Sequence, residues 1–197
     1  NWSLVLFVLS LTAITVGSLL AIAQDNVKRM LAYSSVAQIG YITFGIAVAN
    51  LNSLTGALVH LANHALMKGA LFMLMGGIML RLGSVHLPHL AGIGRQMPWT
   101  MAGFVLAGAS LLGVPGTVGF VSKWYLAVGA LEAGHWSLVL VLMASSLIAL
   151  AYMGRVIEMV YLRERPADAP TVTEAPRLMV AATWLVLVAC IYFGLDT

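Results

Sequence analysis

Residues 2–23 read WSLVLFVLSLTAITVGSLLAIA, without a single charge. A helix of that length rises about 33 Å at 1.5 Å per residue, enough to cross a hydrocarbon core of about 30 Å. Five more apolar stretches follow. Leu31–Ala49 comes after the polar break Gln24–Arg29. Ser53–Leu80 is longer and carries His60, His64 and Lys68. Trp99–Leu131 is longer still, carries Lys123 and is interrupted by Gly113-Val114-Pro115-Gly116. Trp136–Leu162 and Leu178–Leu195 complete the set. The expectation is an all-α integral membrane protein: a single transmembrane domain over 1–197 with six transmembrane helices, one of them discontinuous.

Composition agrees with that reading. The 197 residues are 61% hydrophobic and 9% charged, whereas a soluble domain is about 25% charged. Ten Lys/Arg and seven Asp/Glu are too few to cover a water-soluble globule of this size. A soluble enzyme, a nucleic-acid-binding domain and a disordered tail are therefore excluded as first readings. The single cysteine, Cys190, excludes an internal disulfide framework and a cysteine-based metal site. The chain opens at Asn1 with no basic run or cleavage site before the first span, so that span is not a signal peptide. A fragment of a longer membrane protein is expected.

The loops alternate in charge. Those after the first, third and fifth spans hold Lys28, Arg29, Arg81, Arg95, Arg163, Arg165 and Arg177, whereas 50–52 and 132–135 hold no Lys or Arg. The positive-inside rule puts the basic loops in the cytoplasm and Asn1 on the opposite side. Trp2 and Trp136 then flank the outer interface and Trp99 the inner one, with Trp184 expected to pack in mid-helix. The loop Arg163–Pro176, with three prolines, reads as extended. Arg155 and Glu158, spaced i, i+3, read as a local ion pair.

Four ionisable residues sit inside spans, where each lysine costs about 2.5–3.5 kcal/mol on insertion scales. They are expected to face a bundle interior or a hydrated cavity. His60, His64 and Lys68 at i, i+4, i+8 form one stripe roughly 12 Å long. Histidine titrates near neutral pH, and an amine taken out of water releases its proton more readily. The favoured reading is proton handling through intervening water, helped by Asn63 and Ser53; the competing one is polar packing between helices. Zinc at His60 and His64 has no carboxylate or cysteine nearby, so no metal and no cofactor is expected. In the fourth span, Pro115 lacks an amide proton and glycines flank it, which predicts a broken helix in mid-membrane. Transporters place ion sites at such breaks. Lys123 lies two turns beyond, read as buried rather than snorkelling. Ser34 and Gln38 form a milder polar pair with Tyr41, facing either a hydrated path or a neighbouring helix. No phosphate loop or nucleophile–base pair is present, so a catalytic site is not expected.

Three ordered motifs carry a family resemblance. Asp25-Asn26-Val27-Lys28-Arg29-Met30-Leu31-Ala32-Tyr33-Ser34-Ser35, running on to Gln38, Gly40 and Tyr41, resembles a segment of the antiporter-like membrane subunits. These occur in respiratory complex I (NADH:quinone oxidoreductase) and in Mrp-type multisubunit Na⁺/H⁺ antiporters. His60-Leu61-Ala62-Asn63-His64-Ala65-Leu66-Met67-Lys68 looks like the same family's His/Lys helix, and Gly113–Gly116 through Ser122-Lys123-Trp124 its broken helix with a lysine. The resemblance implies the second of two inverted repeats plus the last helix of a 14-helix subunit. It implies His60, His64 and Lys68 on a hydrophilic axis and Lys123 as the lysine of a half-channel. Ser34, Gln38, Gly113, Pro115 and Gly116 support them. Within the family, Gly113–Glu132 looks most similar to the Mrp antiporter D subunit; one complex I relative has glutamate where Lys123 stands. The implied function is a half-channel of a monovalent cation (Na⁺)/proton antiporter. The alternatives are the proton-translocating subunit of complex I, or of a related hydrogenase or carbon-uptake complex. The implied partners are other membrane subunits, the lipid bilayer, protons and monovalent cations, with no nucleic acid. The implied location is a bacterial-type inner membrane.

Overall fold

The computed structural model describes residues 2–196; Asn1, assigned by the loop charges to the side away from the basic loops, lies outside them. Seven α-helices are described: α1 (Trp2–Ile22), α2 (Val27–Val48), α3 (Leu51–Leu82), α4 (Pro98–Leu112), α5 (Val118–Glu132), α6 (Trp136–Ile157) and α7 (Arg177–Leu195). α1, α2, α3, α6 with its terminal π-turn Glu158–Leu162, and α7 are each long and apolar enough to cross a membrane. α4 and α5 are the two halves of the fourth pass.

Caps set the boundaries, and they differ from those that hydropathy predicts. α2 starts four residues before Leu31 because Asn26 caps it, its side chain accepting from the Arg29 amide at 3.2 Å. Lys28 and Arg29 therefore lie in the first helical turn rather than in a loop. Ala49 takes a left-handed conformation (φ 60°), and Asn50 at once caps α3. In that capping box the Ser53 hydroxyl is engaged by Asn50, so it is not on offer to water as expected. At the basic end, 83–97 folds as two short 3₁₀ turns, Leu87–Leu90 and Ile93–Arg95. Leu87, Leu90 and Ile93 plug the core there. α4 has no cap of its own. The Glu174 carboxylate supplies one from the last loop, accepting from the Trp99 amide at 2.9 Å and from the Thr100 hydroxyl. An anion at a helix N-terminus satisfies open amides and the helix dipole together.

One side-chain expectation is corrected. Arg155 and Glu158 do not pair with each other. Arg155 reaches Asp25 at 2.9 Å and the Ile22 carbonyl, while Glu158 pairs with Arg163 at 2.7 Å. The reason is local: α1 ends with open carbonyls beside Arg155, and the π-turn closing Arg163 onto the Glu158 carbonyl brings those two side chains together. Trp184, well inside α7, packs against the main core as expected. It also stands edge-on to Trp99 at 5.8 Å and donates to the Trp99 carbonyl at 3.3 Å, beside the start of α4.

Small residues bring the helices into close contact. A Cβ on Gly17 would stand 2.7 Å from the Ala37 amide nitrogen, and one on Gly40 would stand 2.9 Å from that of Ile14, so α1 and α2 cross backbone to backbone. α3 runs through the centre, touching α2, α4, α5 and α7. Its Leu71, Met75 and Ile78 join Met101, Phe104, Tyr152 and Met153 in the main core. Within the fourth pass, a Cβ on Gly119 would lie 1.7 Å from the Ser110 carbonyl oxygen. Close approach of this kind is how membrane helices gain packing energy without a hydrophobic driving force between them. Gly119→Ala is therefore expected to push α4 and α5 apart, at a cost of at least about 1–3 kcal/mol. A lowered unfolding temperature of the full-length protein in detergent would report it. Gly154→Ala, where a Cβ meets nothing within 4 Å, is expected to leave that temperature unchanged or slightly raised.

Candidate functional site: two lysines and a histidine pair between the helices

The break in the fourth pass builds the site. α4 stops at Leu112, and Gly113 (φ 87°) and Gly116 (φ 84°) turn the chain through backbone space that favours glycine. A helix end leaves four carbonyls open. The Gly113 and Val114 amides return to Ala109 at 3.1 Å, and Gly113 also reaches Ser110. The last two carbonyls are taken by a side chain from the other half of the break. Lys123 Nζ donates to Leu111 at 3.0 Å and to Leu112 at 2.9 Å. Its third donor goes to the Ser146 hydroxyl on α6 at 3.0 Å, and the ammonium stands 5.5 Å from the centre of the Tyr41 ring. Lys123 thus turns inward and does not snorkel, because a cation at a helix C-terminus meets the negative end of the dipole.

Lys68, on α3, has a similar environment against α2. It is buried, and its ammonium donates to the Leu31 carbonyl at 2.9 Å and to the Ser34 hydroxyl. Both lysines are thus held by backbone carbonyl oxygen and a serine. Neither has a carboxylate among its hydrogen-bond partners in the described residues.

Between them lies the histidine pair. His60 is fully buried, with Nε2 3.0 Å from Gln38 Oε1 and Nδ1 2.8 Å from the Ser122 hydroxyl. An amide oxygen only accepts, so Nε2 carries the proton and Nδ1 accepts from Ser122: the ring is satisfied in its neutral form. Both nitrogens are occupied, which leaves no free ligand for the zinc pairing that i, i+4 spacing suggests. The His64 ring stacks near His60, with centroids 6.4 Å apart, and its buried Nε2 has no hydrogen-bond partner among the described residues. Asn63 anchors α3 to the start of α5 through the Val118 carbonyl at 2.7 Å.

The four ionisable residues therefore line one interior seam, between α2 and α3 at Lys68 and among α2, α4, α5 and α6 at Lys123. Ser34 and Gln38 both face α3. Gly113 and Gly116 form the turn, with Pro115 between them. Four serines were not legible as members: Ser122 on His60, Ser146 on Lys123, and Ser145 and Ser18, which join Tyr41 in a buried hydroxyl chain, Tyr41 donating to Ser145 at 2.8 Å and Ser145 meeting Ser18 at 2.7 Å. Adjacent serines at 145 and 146 in an otherwise apolar span were the available signal, since buried hydroxyls need partners.

Residues 1–149 match the family described as NADH:quinone oxidoreductase/Mrp antiporter, TM. The chain belongs to this family. It is 46% identical over 184 residues to NADH-quinone oxidoreductase subunit N of Desulforudis audaxviator, covering 91% of this chain and 37% of that protein. Among solved structures, it superposes on a chain of the membrane-bound sulfane sulfur reductase, an archaeal respiratory membrane complex. There the TM-score is 0.91 at 30% identity, over 98% of this chain and 32% of that one. It superposes equally well on a chain of the Mrp complex from Dietzia sp. DQ12-45-1b (TM-score 0.90, 24% identity, 100% of this chain and 45% of that one), a likeness of fold alone. The chain spans less than two fifths of the length of its subunit N relative. The expected fold is the fold found, and these family members are subunits of multisubunit membrane complexes. The expectation of an Mrp D subunit is less well supported than its complex I alternative, because the 46% identical relative is a subunit N.

The His60 environment yields a stability test. Ser122→Ala removes the donor on a fully buried imidazole nitrogen, at an expected cost of about 1–3 kcal/mol. Thermal unfolding of the full-length protein in detergent, compared with an exposed control such as Thr12→Ala, measures it.

Proposed function

We propose that this chain forms a proton-conducting half-channel of an antiporter-like membrane subunit in an assembly of the NADH:quinone oxidoreductase type. On this reading it supplies the second inverted repeat and last helix. The observation that carries the proposal is the pair of interior ammonium groups, Lys68 and Lys123, whose hydrogen bonds among the described residues all go to neutral carbonyls and hydroxyls. An interior charge without a counter-charge is costly in a membrane, and its protonation state answers to any charge brought near. Such a lysine takes a proton from one side and yields it when a neighbouring charge changes. His60 and His64, lying along the same seam, carry the proton between them with water. The free Nε2 of His64 offers that water a partner. Ser34, Gln38, Ser122 and Ser146 hold the ionisable groups in line, and Gly113, Pro115 and Gly116 keep the break that exposes carbonyls to Lys123.

In this reading the partners are the other membrane subunits, the bilayer and protons, and the basic loops face the cytoplasm of a bacterial-type inner membrane. A second reading, exchange of a monovalent cation such as Na⁺ for protons, draws on the family description, which names both kinds of complex. The subunits that co-purify with the full-length protein separate the two: iron–sulfur redox subunits for the first, antiporter subunits for the second.

In the full-length protein, Lys123→Ala is expected to reduce proton flux in everted vesicles to that of vesicles lacking the complex, with assembly intact on native gels. Normal flux from an assembled Lys123→Ala complex would remove the proposed role. His64→Ala is expected to give a partial loss with an altered pH dependence, because water fills the space of the ring. A pH profile identical to the wild type would count against the relay.

A further inference from the structure

At the basic end, a shallow groove of about 550 Å³ opens between the end of α3, the start of α4 and the start of α7. Arg81 and Arg177 stand at its rim, and Trp99, Trp184, Val180 and Ala181 line it. Arg81 commits only Nε, donating to the Glu174 carbonyl at 2.9 Å. The Arg177 side chain has no hydrogen bond or ion pair among the described residues. Glu174 is the one carboxylate lining the groove, and it does not answer these cations. Its two oxygens are taken by the Trp99 amide, the Thr100 hydroxyl and the Ala175 amide. Two guanidinium groups therefore share one groove with no counter-charge aimed at them.

The groove continues into a surface suited to hydrocarbon. Arg177, Ala181, Trp184 and Val188 are spaced i, i+4, i+7, i+11 and form one stripe along α7. Val188 is 59% exposed and Leu185 beside it 75%, and α7 is the least buried of the five span-length helices. Trp99 stands at the start of α4, where tryptophan rings settle at a membrane interface, and Trp184 packs edge-on against it from α7. A free inorganic anion would use the rim and leave the tryptophan-lined wall and the stripe without a role. A phospholipid uses all three.

We infer that this groove binds one anionic phospholipid, its phosphate held by Arg81 and Arg177 and an acyl chain laid along Trp184 and Val188. Guanidinium groups suit phosphate because their forked donors match its oxygens, and basic pockets between helices are known headgroup sites in membrane proteins. This site lies at the basic end, apart from the proton seam, and does not depend on the proposed transport role.

The test uses the full-length subunit in its assembled complex, reconstituted into phosphatidylcholine vesicles. These contain a trace of photoactivatable phosphatidylglycerol or, separately, phosphatidylcholine with the same acyl chains. After illumination, labelled peptides are mapped. The expected result is labelling within 180–188 that favours phosphatidylglycerol. Arg177→Gln, a change at an exposed and unpaired side chain, lowers that preference roughly fivefold, and adding Arg81→Gln lowers it further. Equal labelling by the two lipids in the wild type would overturn the inference. So would loss of the label on adding excess inorganic phosphate, which would mean a free-anion site. An absence of label from 180–188 in an assembled complex would mean that another segment covers the groove, and would overturn it as well. Proton flux measured in the same vesicles reports separately on the lysine seam.

Discussion

Inside a bilayer every backbone carbonyl and amide must find a partner within the protein, and the broken fourth pass is where this chain meets that demand with a side chain. Ending α4 at Leu112 opens carbonyls at a depth where bulk water is absent. Lys123 closes the two that the turn itself leaves, and the same bonds fix the ammonium. The lysine completes the helix end, and the helix end neutralises part of the lysine's charge through its dipole. Remove either and the other becomes an expensive buried group. The tight seating of Gly119 on Ser110, the bond from Asn63 to Val118 and the bond from Ser146 to Lys123 all hold that arrangement in place.

The rest of the interior follows the same rule on a smaller scale. Polar groups are shared between helices in pairs: Gln38 with His60, His60 with Ser122, Lys68 with Ser34, Tyr41 with Ser145 and Ser145 with Ser18. Each pair is a bond between helices as well as a member of a polar seam. Stability and the proposed proton path are built from the same contacts. Among the described residues, His64 Nε2, the Ser110 hydroxyl and Arg165 Nε are buried without a partner, and of these His64 is the one on the proposed path. Close glycine crossings between α1 and α2, and between the halves of the fourth pass, bring these short side chains within bonding distance.

Much of the fold was legible because length and polarity are read along the chain. Six passes, the break at Gly113–Gly116 and the polar stripe on α3 all follow from what a bilayer tolerates. Boundaries were less legible: Asn26 and Asn50 start helices inside stretches that hydropathy counts as loops. Arg155 was assigned the wrong partner because sequence spacing shows neighbours on one helix, while Asp25 is 130 residues away. Ser146 and Ser122 escaped notice for a related reason. A serine in an apolar span costs little and asks for a partner, but the sequence does not say which one.

By itself the sequence determined that this protein lives in a membrane, roughly where its chain crosses, where one crossing must break, and that two lysines and two histidines are kept inside at a cost. These are one-dimensional quantities: the length of an apolar run, the missing amide of Pro115, the price of an interior charge. Only the tertiary structure decided who meets whom. It put Lys123 against the carbonyls of Leu111 and Leu112, Lys68 against Leu31 and Ser34, Glu174 at the start of α4, and Arg81 and Arg177 in one groove with two tryptophans. Those meetings depend on how each helix is rotated and how closely it approaches its neighbour. Steric contact over many residues sets rotation and approach, and no local pattern in the chain carries that information.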